Sequence, residues 1–159
     1  MKGSVNNDTL VRCKTLPPAP YTARRLPGSL TTASVRPARA KILVVDDEPM
    51  IGSVARRLLT RRGYDVTVTQ GADEALALLE ASDGAFDLVI TDWWMPGMCG
   101  RELVARLQSR WPWIPVMVMS GSVDRAAALG EGDELFLSKP FSTEEITTRV
   151  ARALEVPVA

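Results

Sequence analysis

The sequence predicts an α/β fold built on a doubly wound parallel sheet. Two observations carry that reading. Short apolar runs alternate with amphipathic stretches of roughly ten residues, the pattern of strand–helix units laid side by side. Charged residues then stand where those runs stop: Asp46 and Asp47 after KILVV, Asp92 after FDLVIT, and Lys139 after LFLS. In an open parallel sheet the carboxyl ends of the strands line one crevice, so charges at those ends share one place.

The first strand is Ile42–Val45, which stops at the acids. Glu48-Pro49 opens a helix, because proline fits the first helical turn. MIGSVARRLLTRR then sets Met50 or Ile51, Val54, Leu58 and Leu59 on one face, and Gly63 ends the run. Tyr64–Thr69 alternates as a second strand. A helix capped near Gly71 follows over Ala72–Ala81, with Ala75, Leu76 and Leu79 facing inward. Phe86–Thr91 is the third strand, and WWMPGMCG is the loop after Asp92. Arg101–Ser109 forms a third helix on Leu103, Val104 and Leu107, with Trp111 and Trp113 packing around its exit. Pro115–Met119 is the fourth strand, ending at Ser120. A short helix over Val123–Leu129 and a fifth strand over Leu135–Leu137 come next. Ser142 or Thr143 caps a last helix through about Leu154, with Glu144 and Glu145 favourable in its first turn.

These five units, with about five helices, must connect by right-handed crossovers. The flavodoxin-like strand order 2-1-3-4-5 sets strands one and three side by side, which brings Asp46, Asp47 and Asp92 together.

Composition bounds the chemistry. Formal net charge is zero, yet residues 1–39 hold seven Lys or Arg against one acid, and the remainder is acidic. Residues 1–39, rich in Pro, Ser and Thr, read as a flexible basic tail, residues 40–156 as the domain, and 157–159 as its end. With no histidine in the chain, His-based acid–base catalysis, a Ser-His-Asp triad and a His-ligated zinc site are excluded. Cys13 and Cys99 imply no disulfide framework and no metal-ligand spacing, which fits a reducing cytoplasm. No apolar stretch approaches the roughly 18 residues of a membrane span, and the N-terminus lacks the apolar core of a secretory signal.

Three acids in one crevice repel one another unless a cation sits among them. Magnesium suits this set, since it needs only a few carboxylates and keeps water, whereas calcium demands more ligands. Asp92, in the middle strand and followed by a Gly/Pro loop, is the best-placed nucleophile toward a phosphoryl group. Lys139 supplies an ammonium, Ser120 a hydroxyl, and Gly121 lets backbone amides approach an anion. Taken singly, each residue has a plainer reading: a capping pair, a loop serine, a surface lysine. Their joint order at strand ends favours the site.

VVDDEP, then D-x-x-MPGMCG, then MSG, then KPF together resemble the receiver domain of bacterial two-component response regulators, over roughly Ala40–Val156. The resemblance implies that Asp92 is the phospho-acceptor. It also implies that Asp47, Asp92 and the Trp94 carbonyl bind Mg2+ directly, with Asp46 acting largely through water. Ser120 becomes the switch hydroxyl, Phe136 the rotating aromatic, Lys139 the phosphate-pairing lysine, and Lys139-Pro140 a cis bond. The implied partners are a histidine kinase or phosphotransfer protein and a downstream protein. The implied chain is a cytoplasmic monomer or phosphorylation-dependent dimer that is not an enzyme beyond its own phosphoryl transfer and loss. Neither a membrane span nor nucleic-acid binding is expected of the domain, and salt-sensitive binding through the tail is the competing reading.

Two departures stand out. Trp94 occupies a position where many relatives carry a smaller or polar residue, and its indole is expected to shield the acyl phosphate from water. The stretch from Ser120 to Lys139 is short and punctuated by Gly121, Gly130 and Gly132, so its helix is expected to be short. Nothing flanking the domain is large enough for a DNA-binding output unit, so a phosphate sink or a receiver from a hybrid histidine kinase is the alternative function. A haloacid-dehalogenase-type hydrolase would want a second acid two residues after Asp92, where Trp94 stands.

Overall fold

The computed structural model describes residues 39–121 and 135–155. The tail and the helix expected over 123–129 lie outside them. The elements are β1 (Lys41–Val45), α1 (Pro49–Arg61), β2 (Asp65–Thr69), α2 (Ala72–Ala81), β3 (Leu88–Asp92), α3 (Gly100–Arg110), β4 (Val116–Ser120), β5 (Phe136–Ser138) and α4 (Thr143–Glu155). The five strands form one sheet in the order β2-β1-β3-β4-β5, every adjacent pair parallel. This is the doubly wound order the alternation predicts, with four helices among the described residues.

Parallel strands covered on both faces should be apolar throughout rather than alternating. β3 and β4 are buried at every position, and β1 at all but Lys41. One face of the sheet presents Ile42, Val44, Ile90 and Met119 to Ala55 and Leu59 of α1 and to Ile146 and Val150 of α4. The other presents Leu43, Val45 and Val89 to Ala75 and Leu79 of α2 and to Leu103 and Leu107 of α3. A fully buried Leu or Ile contributes about 1.5–3 kcal/mol, so these two layers hold the sheet and its crevice in place.

Strand ends are shifted from expectation by one or two residues. β3 starts at Leu88 because Asp87 is engaged with β1: its amide donates to the Lys41 carbonyl (2.8 Å), and its carboxylate accepts the Lys41 amide (2.7 Å). Asp92 and Ser120 are the last residues of their strands rather than the first after them. α4 is closed by a reciprocal capping box: Ser142 Oγ accepts the Glu145 amide (3.1 Å), and Glu145 Oε2 accepts the Ser142 amide (2.7 Å). The Lys139-Pro140 bond is cis.

The inward face of α1 matches the expected one only in part. Gly52, Ala55 and Leu59 are buried, whereas Met50 is 79 % and Val54 39 % exposed. The cause is close approach, since a Cβ on Gly52 would stand 2.7 Å from Val68 Cγ1 of β2. Gly52 and Ala55 share that face with Leu59, and Ile51 and Leu58 pack against the same core as expected, while Met50 and Val54 turn outward. The two tryptophans after α3 also part company. Trp111 is buried against Gly84, but Trp113 is half exposed. Cys99, for which the sequence implied no disulfide, is buried beside the start of α3 and is disulfide-bonded; Cys13 lies outside the described residues.

Candidate functional site

The crevice at the carboxyl ends of β1, β3 and β4 receives Asp46, Asp47 and Asp92 because β1 pairs directly with β3 (Val45 opposite Thr91). Asp46 follows β1 and has no solvent exposure. Its Oδ1 accepts the Glu48 amide (2.9 Å), turning the chain into α1, and its amide donates to the Thr69 carbonyl (3.1 Å). Its Oδ2 accepts from Lys139 Nζ at 2.7 Å. Asp47 is half-buried beside it. Asp92 is 6 % exposed at the end of β3, paired across with Met119 of β4.

Among the described residues these three carboxylates form a cluster in which one oxygen of each lies within 4.8 Å of the others. The electrostatics register the crowding. Burial pushes the Asp92 carboxyl up to about 6, and the charge of Asp46 adds to this against the opposing pull of Lys139. Asp47 is also raised, first by burial and then by Asp46. Burial alone would lower the Lys139 ammonium, but its hydrogen bond to Asp46 and the charge of Asp92 hold it above its ordinary value. Three acids beside one lysine leave the site with excess negative charge. Hard oxygen donors at this spacing are the set that Mg2+ accepts, so these residues fit that ion.

Lys139 stands inside the site. Its amide donates to the Ser120 carbonyl (2.8 Å), which continues the β4–β5 ladder by one step. Its Nζ lies 3.4 Å from Asp92 Oδ1 and 3.9 Å from Glu48 Oε1, with the side chain 11 % exposed. Ser120 is buried at the end of β4, one position beyond the residue paired with Asp92. Phe136 is half-buried at the start of β5, opposite Val118.

The loop after Asp92 is tied down at several points. The Trp93 amide donates to the Met119 carbonyl (2.8 Å), and the Gly100 amide to the Trp93 carbonyl (3.1 Å). The Trp94 amide hydrogen-bonds to the Asp92 carboxylate, and its side chain is half-buried. Gly100 was not singled out by sequence reasoning, although a Cβ there would run into the Asp92 carbonyl oxygen. The glycine lets α3 start directly against the strand end that carries Asp92. The only trace in the sequence is a Gly before a helix, which usually means a cap. Glu48 was missed as well, because nothing in the sequence says that Lys139 reaches across to it.

Comparison with known proteins agrees with this geometry. The profile described as the response regulator receiver domain matches residues 42–151. Transcriptional regulatory protein TcrA of Mycobacterium tuberculosis is 37 % identical over 122 residues, covering 75 % of this chain and 47 % of TcrA. The chain thus spans about half the length of that relative. Among solved structures, the receiver domain from the hybrid histidine kinase CckA is 36 % identical with a TM-score of 0.63, covering 73 % of this chain and all of that one. A response regulator receiver domain protein from Clostridium thermocellum has a TM-score of 0.65 at 29 % identity, covering 72 % of this chain and 94 % of that one. Among the described residues, no helix is long and apolar enough to cross a membrane.

Proposed function

The chain belongs to the response regulator receiver domain family, and on that premise we propose that it is a phosphorylation-dependent switch in a two-component phosphorelay. Asp92 accepts a phosphoryl group from a histidine kinase or histidine phosphotransfer protein, and the phosphorylated domain changes its affinity for a downstream protein. The observation that carries this reading is the convergence of Asp46, Asp47 and Asp92 within 4.8 Å beside the Lys139 ammonium.

The roles follow from the chemistry of each group. With a pKa of about 6, Asp92 is mostly ionised at neutral pH and so can act as a nucleophile. One of its oxygens forms the new O–P bond while the N–P bond of the donor phosphohistidine breaks. The bonding pair leaves with the imidazole, which takes up a proton. Burial at the strand end keeps bulk water from competing. Lys139 is 3.4 Å from Asp92 Oδ1 and can exchange its hydrogen bond to Asp46 for one to a phosphoryl oxygen. Ser120 donates its hydroxyl to another, and Phe136 turns inward as Ser120 moves. Asp47, Asp92 and the Trp94 carbonyl would hold Mg2+, with Asp46 acting through water, and the bound ion would supply positive charge against the phosphoryl oxygens. The domain catalyses only its own phosphorylation and dephosphorylation. A relay fed by ATP belongs in the cytoplasm, and the domain acts there as a monomer or a phosphorylation-dependent dimer.

Acetyl phosphate with Mg2+ should label the wild type and not Asp92→Asn, and chelation should abolish labelling; equal labelling of the two proteins would refute the assignment. The likeness to the CckA receiver favours a second reading, a phosphate sink or the receiver of a hybrid kinase. A protein that binds only the phosphorylated form argues against a sink.

A further inference from the structure

Of the acids gathered around Lys139, Glu48 alone lies outside the cluster that fits Mg2+. It precedes α1 as the N-cap, yet its side chain makes no capping hydrogen bond. Its Oε1 lies instead 3.9 Å from Lys139 Nζ, too far for a hydrogen bond and near enough for charge to act. The backbone fixes the residue there. Its amide donates to Asp46 Oδ1 (2.9 Å), and its carbonyl accepts the amides of Ile51 (3.0 Å) and Gly52 (3.2 Å). The Glu48 side chain is 65 % exposed, against 0 % for Asp46 and 8 % for Asp92. Glu48 is thus the acid at the mouth of the crevice, and the other two lie at its floor.

Its charge is felt inside. Burial and the Asp46 charge raise the Asp47 carboxyl most, and the charge of Glu48 adds to them. Two steps of 3.4 and 3.9 Å, through the Lys139 ammonium, join Asp92 Oδ1 to Glu48 Oε1. That reach is comparable to a phosphoryl group with its leaving group in line behind it. A donor that presents its phosphorus to Asp92 therefore brings its leaving group, and not the phosphorus, beside Glu48.

We propose that Glu48 selects the phosphoryl donor: it favours a leaving group that carries an N–H, as an imidazole does, and disfavours one that departs as an anion, as acetate does. This rests on the phosphorelay reading and adds what decides between donors at the same acceptor. In transfer from a phosphoimidazole, an Asp92 oxygen forms the O–P bond as the N–P bond breaks, and the bonding pair stays on the departing nitrogen. The proton that the ring takes up sits on the nitrogen remote from phosphorus. Glu48 accepts a charge-assisted hydrogen bond from that N–H. In transfer from acetyl phosphate the pair leaves on a carboxylate oxygen, and the negative charge that develops there faces Glu48 with no proton to share. Lys139 does not cancel this effect, because its ammonium turns to the phosphoryl oxygen. A plainer role for Glu48, an acid favourably placed at the N-terminus of α1, would act on stability and on both donors alike.

The test is the rate of phosphorylation of the full chain by phosphoimidazole and by acetyl phosphate, each with Mg2+, followed by intact mass. Glu48→Gln should slow labelling by phosphoimidazole about threefold and quicken labelling by acetyl phosphate about threefold, a change of about tenfold in their ratio. Glu48→Lys should move the ratio further in the same direction. Glu48→Asp, which keeps the charge, should stay near the wild type. Asp65→Asn, which removes an exposed carboxylate at the opposite end of the sheet, should leave the ratio unchanged. Circular dichroism checks that each variant is folded. Equal changes with both donors in Glu48→Gln, or a ratio moved as far by Asp65→Asn, overturn the inference and leave the phosphorelay reading standing. Labelling of the wild type by neither donor overturns both.

Discussion

The ammonium of Lys139 lies closer to Asp46 than to Asp92, 2.7 Å from the one and 3.4 Å from the other. The lysine thus neutralises a carboxylate that is fully buried and already bound to the turn into α1, and only leans toward the one at the end of β3. Removing it leaves three acids with no internal counter-charge. Lys139→Met should therefore bind Mg2+ more tightly than wild type, by several-fold to about tenfold at low salt. Titration followed by the fluorescence of Trp93 and Trp94 measures this, and unchanged affinity would show that the ammonium does not compete with the metal.

Asp92 makes the metal-free fold sensitive to pH. Its pKa rises from an ordinary 3.8 to about 6, so the folded state holds a proton that the unfolded chain has released. That contribution is fully present below about pH 4 and is lost as pH rises through about 6. The elevation of Asp47 acts in the same direction. In EDTA, urea unfolding should show stability falling across this window by on the order of 2–3 kcal/mol. Asp92→Asn should remove most of that slope and be the more stable protein at neutral pH. Saturating Mg2+ should also flatten it, by binding the folded state alone.

Two glycines offer a matched pair. Gly100→Ala places a Cβ against the Asp92 carbonyl oxygen, so either α3 or the end of β3 must move. The expected cost is about 2–3 kcal/mol, with a drop in acetyl phosphate labelling because the acceptor shifts. Gly71→Ala meets nothing within 4 Å at the start of α2. It should cost at most about 1 kcal/mol, from a poorer helix cap, and leave labelling intact. Equal losses in the two variants would mean that the approach of Gly100 to β3 is unimportant.

Trp94 is half-buried two residues after Asp92, and its amide bonds to the Asp92 carboxylate. Its backbone contribution survives substitution and its indole does not. Trp94→Asn should therefore leave labelling possible and shorten the lifetime of the acyl phosphate several-fold. An unchanged decay rate, followed after removal of acetyl phosphate, would show that the indole does not shield it.

The sheet was legible because each strand is a run of apolar residues cut off by a charge, and the same cuts mark Asp46, Asp47, Asp92 and Lys139. Alternation and handedness left few strand orders, and the flavodoxin-like one is the order that sets β1 beside β3 and so gathers the acids. What escaped were relationships set by the absence of atoms. Gly52 against Val68 decides which face of α1 is buried, and Gly100 against Asp92 decides where α3 begins. A reading that follows large apolar residues sets Val54 and either Met50 or Ile51 on the core face; Ile51 packs there, and Met50 and Val54 turn outward. The crossing of Lys139 to Asp46 escaped as well, because a lysine's reach is not written in its position.

The acceptor and its reporter sit on elements of very different security. Asp92 ends a strand buried at every position and hydrogen-bonded along both edges, by β1 and by β4. Lys139 follows a three-residue strand at the border of the sheet, with a neighbouring strand on one side only among the described residues. Amide exchange should accordingly be slowest at Ile90 and Thr91, which open only with the whole domain, and much faster at Leu137 and Ser138. A fold divided in this way can let its border strand breathe without unseating the carboxylate at its centre.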